Sequence, residues 1–284
     1  MNGATEPIRW KHNPLGAVTV AILLTVPGAL VHTDAAFAEG RGFHIGMTVP
    51  VEYLDAFFEK IVDNTAPNTR VPEPRRGRVF QDEDSANASV YGIGLRAGYR
   101  LPLSERGLYL TGEVDITLHG GTVEGQLEGV GTSSGRNQLG ESWPDRWSFG
   151  KDRSYGFTAK LGGSPGALRS SEASLYVLAG IRRIDVQFTT RFNGCLDPVP
   201  CSSDAGTPDF TSGTDSRDQS FLAWTAGIGL DRVLGEHLVL HAETRYTRYG
   251  TERWITPFND VGVSVPAGVN AAAVSLLVSL AWYF

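Results

Sequence analysis

Cysteine and methionine are nearly missing from this sequence, at two residues each in 284. A basic excess is missing as well, since 25 Lys and Arg face 31 Asp and Glu for a formal charge of −6. Phosphate backbones need a basic face, so no nucleic acid is expected as a partner. No repeat of fixed period is present, and no low-complexity tract divides the chain. After residue 31 the sequence offers no run of about 20 apolar residues, which excludes a membrane-spanning helix from the remainder. If that remainder enters a membrane, it does so as strands.

The amino-terminal region carries the longest apolar stretch. Arg9 and Lys11 precede residues 17–31, which are almost wholly apolar and are interrupted by Pro27-Gly28. Ala36-Phe37-Ala38 follows as a small-residue cleavage site. The expected organisation is a signal peptide over 1–38 and a mature domain over 39–284. Secretion implies an oxidising compartment, and Cys195 and Cys201 are then expected to form a local disulfide. No histidine lies in the surrounding stretch, so the pair does not read as a metal site.

What the mature chain has in abundance is alternation, together with 34 glycines. Residues 274–284 read Val-Ser-Leu-Leu-Val-Ser-Leu-Ala-Trp-Tyr-Phe, with Val274, Leu276, Val278, Leu280, Trp282 and Phe284 on one parity. Successive strand side chains point to opposite faces, so this is a ribbon with one strongly apolar face. The same pattern recurs at 42–49, 90–100, 108–118, 155–162, 175–188, 222–231 and 238–247. Within 175–188 the apolar parity changes after Arg182-Arg183, which predicts either a bulge or a strand leaving the bilayer. Residues 51–62 fit a short helix carrying Leu54, Phe58 and Ile61, or a continuation of the first strand past Pro50. Intervening stretches rich in Gly, Pro and Asp read as connections.

These segments make eight strands, and the connections between them alternate long and short along the chain. Alternation of that kind puts short turns on one rim and long loops on the other. The expected fold is all-β: an eight-stranded antiparallel transmembrane β-barrel, an up-and-down meander with long extracellular loops. Its interior would carry Arg96, Arg100, Lys160, Arg182 and Arg245 against Glu113, Asp115, Asp231 and Glu243, with His241 beside them. In a narrow interior such charges are expected to pair into a structural network. The alternative is a charged constriction in a narrow porin-like channel for small or apolar solutes.

The segment Trp224-Thr-Ala-Gly-Ile-Gly-Leu230, the turn that follows, Leu240-His-Ala-Glu-Thr-Arg-Tyr246 and the terminal phenylalanine resemble the last strands of opacity-protein-like, OmpA-type outer-membrane β-barrels of Gram-negative bacteria. That resemblance implies insertion in outer-membrane lipid. It further implies that the barrel assembly machinery reads Leu280, Trp282 and Phe284. Cofactors are not expected. Gly-x-Ser-x-Gly occurs at 131–135 and 162–166, but neither has the strand-turn-helix setting of a nucleophile elbow. His119 near Asp115, and His241 two residues before Glu243, lack a nucleophile in pattern, so no enzymatic activity is expected. The function expected is that of a surface-exposed structural protein whose loops meet host or envelope ligands.

Overall fold

The computed structural model describes residues 42–66, 76–104, 107–127, 145–163, 173–195, 210–258 and 263–284, with the side chains of 192–195, 210–212 and 258 left aside. The proposed signal peptide, Cys201 and the Gly-x-Ser-x-Gly stretch at 131–135 lie outside these residues, as does most of the second such stretch. Ten strands follow one another: β1 (Gly42–Asp63), β2 (Val79–Pro102), β3 (Tyr109–Gly120), β4 (Thr122–Gln126), β5 (Arg146–Gly163), β6 (Ala173–Cys195), β7 (Phe210–Val233), β8 (Leu238–Tyr249), β9 (Glu252–Phe258) and β10 (Val263–Tyr283). Among the described residues no helix is long and apolar enough to cross a membrane.

Eight of the strands form a closed antiparallel ring, β1-β2-β3-β5-β6-β7-β8-β10, sealed by pairing of β10 with β1. That seam runs from His44 opposite Tyr283 to Asp63 opposite Ser264. Closure leaves no edge in the ring, the condition that a sheet must meet where water cannot hydrogen-bond the backbone. The chain's end is held in the seam, with the Phe284 amide donating to the Phe43 carbonyl at 3.0 Å.

An apolar belt covers the outside of the ring. On β1, Phe43, Ile45, Met47, Val49, Val51 and Tyr53 all face outward and are exposed. Ten residue steps at a rise of about 3.3 Å, tilted by about 40°, give a height near 25 Å, which is that of a lipid-facing band. Tyr99, Trp282 and Phe284 lie toward one end of the belt and Tyr53, Tyr91, Tyr155 and Trp224 toward the other, all exposed. Aromatic girdles of this kind mark the two membrane–water interfaces.

Beyond Tyr53 the strands do not stop. β1 has 22 residues, β2 24 and β7 24, against the 9–11 or so that a membrane-spanning strand requires. Their polarity inverts at the membrane border. On β1 the inner face changes from His44, Thr48 and Glu52 to Leu54, Ala56 and Phe58, all buried. The outer face of β2 changes from Ile93 and Tyr91 to Ser89, Asn87 and Ser85.

Much of each long connection is strand, so the strands run farther from the membrane than the sequence indicates. Residues 51–62 continue β1 and are not a helix. β6 keeps its facing throughout its ladder with β7, so the parity change after Arg183 is an inversion of polarity and not a bulge. A register shift does occur on β5, between Lys151 and Arg153.

Outside the membrane the ring divides into two four-stranded sheets. The β2–β3 ladder ends at Tyr91 opposite Gly120, and the β7–β8 ladder ends at Ala223 opposite Tyr249. Past these points β9-β10-β1-β2 forms one sheet and β4-β5-β6-β7 the other. Gly121, at φ 125°, makes the break between β3 and β4 with a backbone conformation that side chains disfavour. The first sheet presents mostly small residues inward, Ala86, Ala88, Ala267, Ala271 and Ala273, while the second presents Trp147, Phe149, Phe188 and Phe221. Ring centroids meet across the two sheets at 5.0 Å for Phe58 and Phe188 and at 5.5 Å for Phe188 and Trp254. Asp84 laces one border, accepting from the Gln126 amide and the Trp147 indole at 2.8 Å each.

Lipid and water thus contact different halves of the same strands, and substitutions should report which. Val278→Arg, in the belt, should cost about 2–4 kcal/mol of folding free energy in bilayers. Ser85→Arg, outward on β2 beyond the belt, should stay within about 0.5 kcal/mol. Equal costs in urea titrations of vesicle-embedded protein would place the membrane border elsewhere.

Candidate functional site

The lumen within the apolar belt is filled by a network of charges. Alternation sends one residue in two inward from every strand, and these are Arg96 and Arg100 from β2, Glu113 and Asp115 from β3, Lys151 and Lys160 from β5, and Arg182 from β6. Asp231 comes from β7, and His241, Glu243 and Arg245 come from β8. Their packing requires missing Cβ atoms nearby. A Cβ on Gly156 would stand 2.5 Å from Asp115 Oδ2 and 2.8 Å from Arg182 Nη1.

At the centre, Glu243 is the hub. Its Oε1 accepts from Lys160 at 2.6 Å, Tyr176 at 2.8 Å and Arg96 at 2.9 Å, and its Oε2 accepts from Arg245 Nε at 2.7 Å. Glu113 pairs with Lys160 at 2.8 Å, with Arg96, and with His44 at 3.1 Å. Arg96 also donates to Ser279 at 2.8 Å, tying the hub to the closing strand.

Toward the chain's terminal end, Asp231 takes His241 Nδ1 at 2.5 Å, Tyr109 at 3.0 Å and the Arg100 guanidinium. Arg100 lies over the Tyr109 ring at 4.0 Å and the Tyr283 ring at 5.0 Å. At the outer end Arg182 pairs with Asp115 and donates to Ser154 at 3.0 Å, while Lys151 pairs with Glu52 across the lumen.

The ten charged or imidazole residues expected in the lumen all lie inside it, in three groups: Glu243 and Glu113 with Arg96, Lys160 and Arg245; Asp231 with His241 and Arg100; and Asp115 with Arg182. Glu52, Lys151 and His44 belong with them and were not among those expected. His44 sits on the inward parity of 42–49 and was legible there. Lys151 lies before the β5 register shift, which reverses parity and hides its facing. Glu52 lies in the stretch that also fits a helix.

Neither His241 nor His119 bonds to the acid that stands near it in sequence. His241 is bonded to Asp231 and not to Glu243. His119 is bonded to Ser154 at 2.9 Å rather than to Asp115. An Asp231–His241 pair resembles the oriented base of a hydrolase. Yet His241 is only 1% exposed, and its Nε2 has no hydrogen-bond partner among the described residues. A nucleophile would have to occupy that position. Among the described residues no group of three or more His, Cys, Asp or Glu could hold a metal ion.

Above the charges the interior continues as the aromatic core, so Phe149 stands over Lys151 on β5 and Ile184 over Arg182 on β6. The other accessible surface is the outward face of the two extramembrane sheets. It is polar and carries a groove of about 400 Å³ along β4, β5 and β6, lined by Glu124, Gln126, Arg146, Ser148, Thr189 and Arg191.

No protein-family model matches the chain, and no curated protein matches it. Solved structures do. The outer-membrane protease OmpT of Escherichia coli aligns over 85% of this chain and 97% of its own, at 13% identity and a TM-score of 0.40. The attachment invasion locus protein Ail of Yersinia pestis aligns over 80% and 97%, at 14% identity and a TM-score of 0.25. Neisserial surface protein A aligns over 80% and 95%, at 15% identity and a TM-score of 0.27. These values transfer no residue role and no activity. The closed ring, the apolar belt with its girdles and the charged lumen of this chain carry its reading as a transmembrane β-barrel.

Glu243 holds three cations at once, so Glu243→Gln should leave Arg96, Lys160 and Arg245 undercompensated and cost about 3–5 kcal/mol. Adding Lys160→Met to that variant should return part of the loss. The midpoint of the heat-modifiable gel shift measures both, and additive losses would mean that the two side chains do not act as a unit.

Proposed function

We propose that this chain is an integral outer-membrane protein of a Gram-negative bacterium that anchors a binding surface outside the cell. The observation that carries the reading is the inversion of polarity along the strands. Half of the barrel is built for lipid, and the other half has its own aromatic core and a polar outer face. A rigid scaffold under exposed connections is where binding groups are commonly placed. Host or envelope molecules are the ligands proposed for that surface. The lumen serves as a structural plug in this reading, because its charges are paired and the aromatic core stands over them. Residues 1–38 act as the export signal, and Leu280, Trp282 and Phe284 address the chain to the barrel assembly machinery.

A narrow channel is the competing role, and conductance separates the two. Purified protein in planar bilayers should show no discrete openings at moderate voltage. Replacing the β6–β7 hairpin beyond the Val186–Gln219 pair with a short turn should abolish attachment of protein-bearing vesicles to host cells or envelope fractions, while the heat-modifiable gel shift persists. Discrete single-channel steps, or undiminished attachment by the shortened protein, would defeat the proposal.

A further inference from the structure

On the outward face of the sheet β4-β5-β6-β7, two arginines stand directly opposite one another. Arg146 of β5 is paired in register with Arg191 of β6, and both are exposed. Like charges at facing positions of an antiparallel ladder destabilise it. Among the described residues no acid faces either arginine directly, since the neighbour of Arg146 on β4 is Gln126 and the neighbour of Arg191 on β7 is Thr214, while Glu124 stands diagonal to Arg146 alone. The adjacent row of the same face runs Glu124, Ser148, Thr189 and Ser216 across the four strands. Thr189 and Ser216 hydroxyls are bonded to each other at 2.9 Å. Six of these residues, with Gly125 and Trp147, line the groove of about 400 Å³.

We propose that this groove is a binding site for an anionic saccharide, with Arg146 and Arg191 together clasping one sulfate or phosphate ester. The guanidinium fork matches an oxyanion with two parallel hydrogen bonds, and two facing forks can surround one such group. The bound ester removes the repulsion that the pair carries alone. Ser148, Thr189 and the Gln126 amide supply the neutral donors and acceptors that sugar hydroxyls need. Glu124, diagonal to Arg146, disfavours a second ester at that end of the groove and sets the spacing of charge that the site accepts. The site lies on strands well beyond the belt, so it faces ligands outside the cell and not the lipid headgroups. This inference rests on the reading of the extramembrane sheets as a binding surface, and it names the ligand class for one part of it.

The test uses the full mature barrel in lipid nanodiscs, with dextran sulfate, phosphorylated lipopolysaccharide core oligosaccharide and neutral dextran as probes. Binding should appear with one or both anionic probes, not with neutral dextran, and should weaken as salt rises. Which anionic probe binds more tightly identifies the source of the ester. Arg146→Gln and Arg191→Gln should each lower affinity about tenfold. Glu124→Gln should raise it. Without ligand, each arginine variant should unfold at a temperature no lower than wild type, because it removes a like-charge contact, which also shows that lost binding is not lost folding. Unchanged affinity in the folded double variant, or equal binding of neutral dextran, overturns the proposal. Binding that is lost on shortening the β6–β7 hairpin but survives the double arginine substitution overturns this site alone and leaves the broader binding role standing.

Discussion

The ladder between β1 and β10 is the contact on which the rest of the structure depends. A bilayer offers the backbone no hydrogen-bonding solvent, so an open sheet edge would leave a row of amides and carbonyls unpaired at several kcal/mol each. The ladder reaches from His44 to Asp63 on one strand and from Ser264 to Tyr283 on the other. It therefore closes the ring in the membrane and keeps β10 beside β1 in the outer sheet. Every inward position follows from that closure, because the register of one seam fixes which parity of each neighbouring strand faces the lumen.

Within the belt the fold was legible in the sequence for a simple reason. Lipid demands an apolar outer face, a narrow lumen holds polar residues, and the two together print strict alternation on every strand. Residues 91–100 show it without interruption, and 274–284 show it with Leu277 and Ala281 as the apolar exceptions on the inward face. The outer half hid itself by the same physics. Residues 79–89 read Val-Phe-Gln-Asp-Glu-Asp-Ser-Ala-Asn-Ala-Ser, in which the inward residues next to the border are alanines. Their bulky partners, Trp147, Phe149 and Phe188, lie on the opposite sheet far along the chain. A strand that contributes only small side chains to a core reads locally as a polar connection, and its facing emerges only with its partner.

The candidate sites divide in the same way. Parity alone located ten lumen residues, because each stood on a strand whose apolar face was evident. Their partners were not legible: that Glu243 gathers Arg96, Lys160 and Arg245, while His241 turns to Asp231, depends on stagger between strands distant in sequence. The facing of Arg146 and Arg191 was less accessible still. Both lie in stretches that read as connections, and their juxtaposition depends on the register of β5 against β6 above the shift at Lys151.

Inner and outer faces change character at nearly one level. Glu52 gives way to Leu54 within the barrel as Tyr53 gives way to Asp55 outside it, and Arg182 gives way to Ile184 as Ile181 gives way to Arg183. The outer change is dictated by solvent, since lipid ends there and water begins. The inner change has a different cause. A strand apolar on both faces through the membrane would approach the continuous apolar run that marks a spanning helix, so the lumen side is mostly polar where the lipid side is not, with Val239, Leu277 and Ala281 as exceptions. Outside the membrane the constraint reverses: the outer face is polar, and stability must come from an apolar interior. Charges that would be costly to bury singly are therefore placed where they can pair, and aromatic residues where no lipid competes for them. Because β1, β2, β6, β7 and β10 run unbroken through the border, the register set by the membrane ring also positions the polar surface displayed above it.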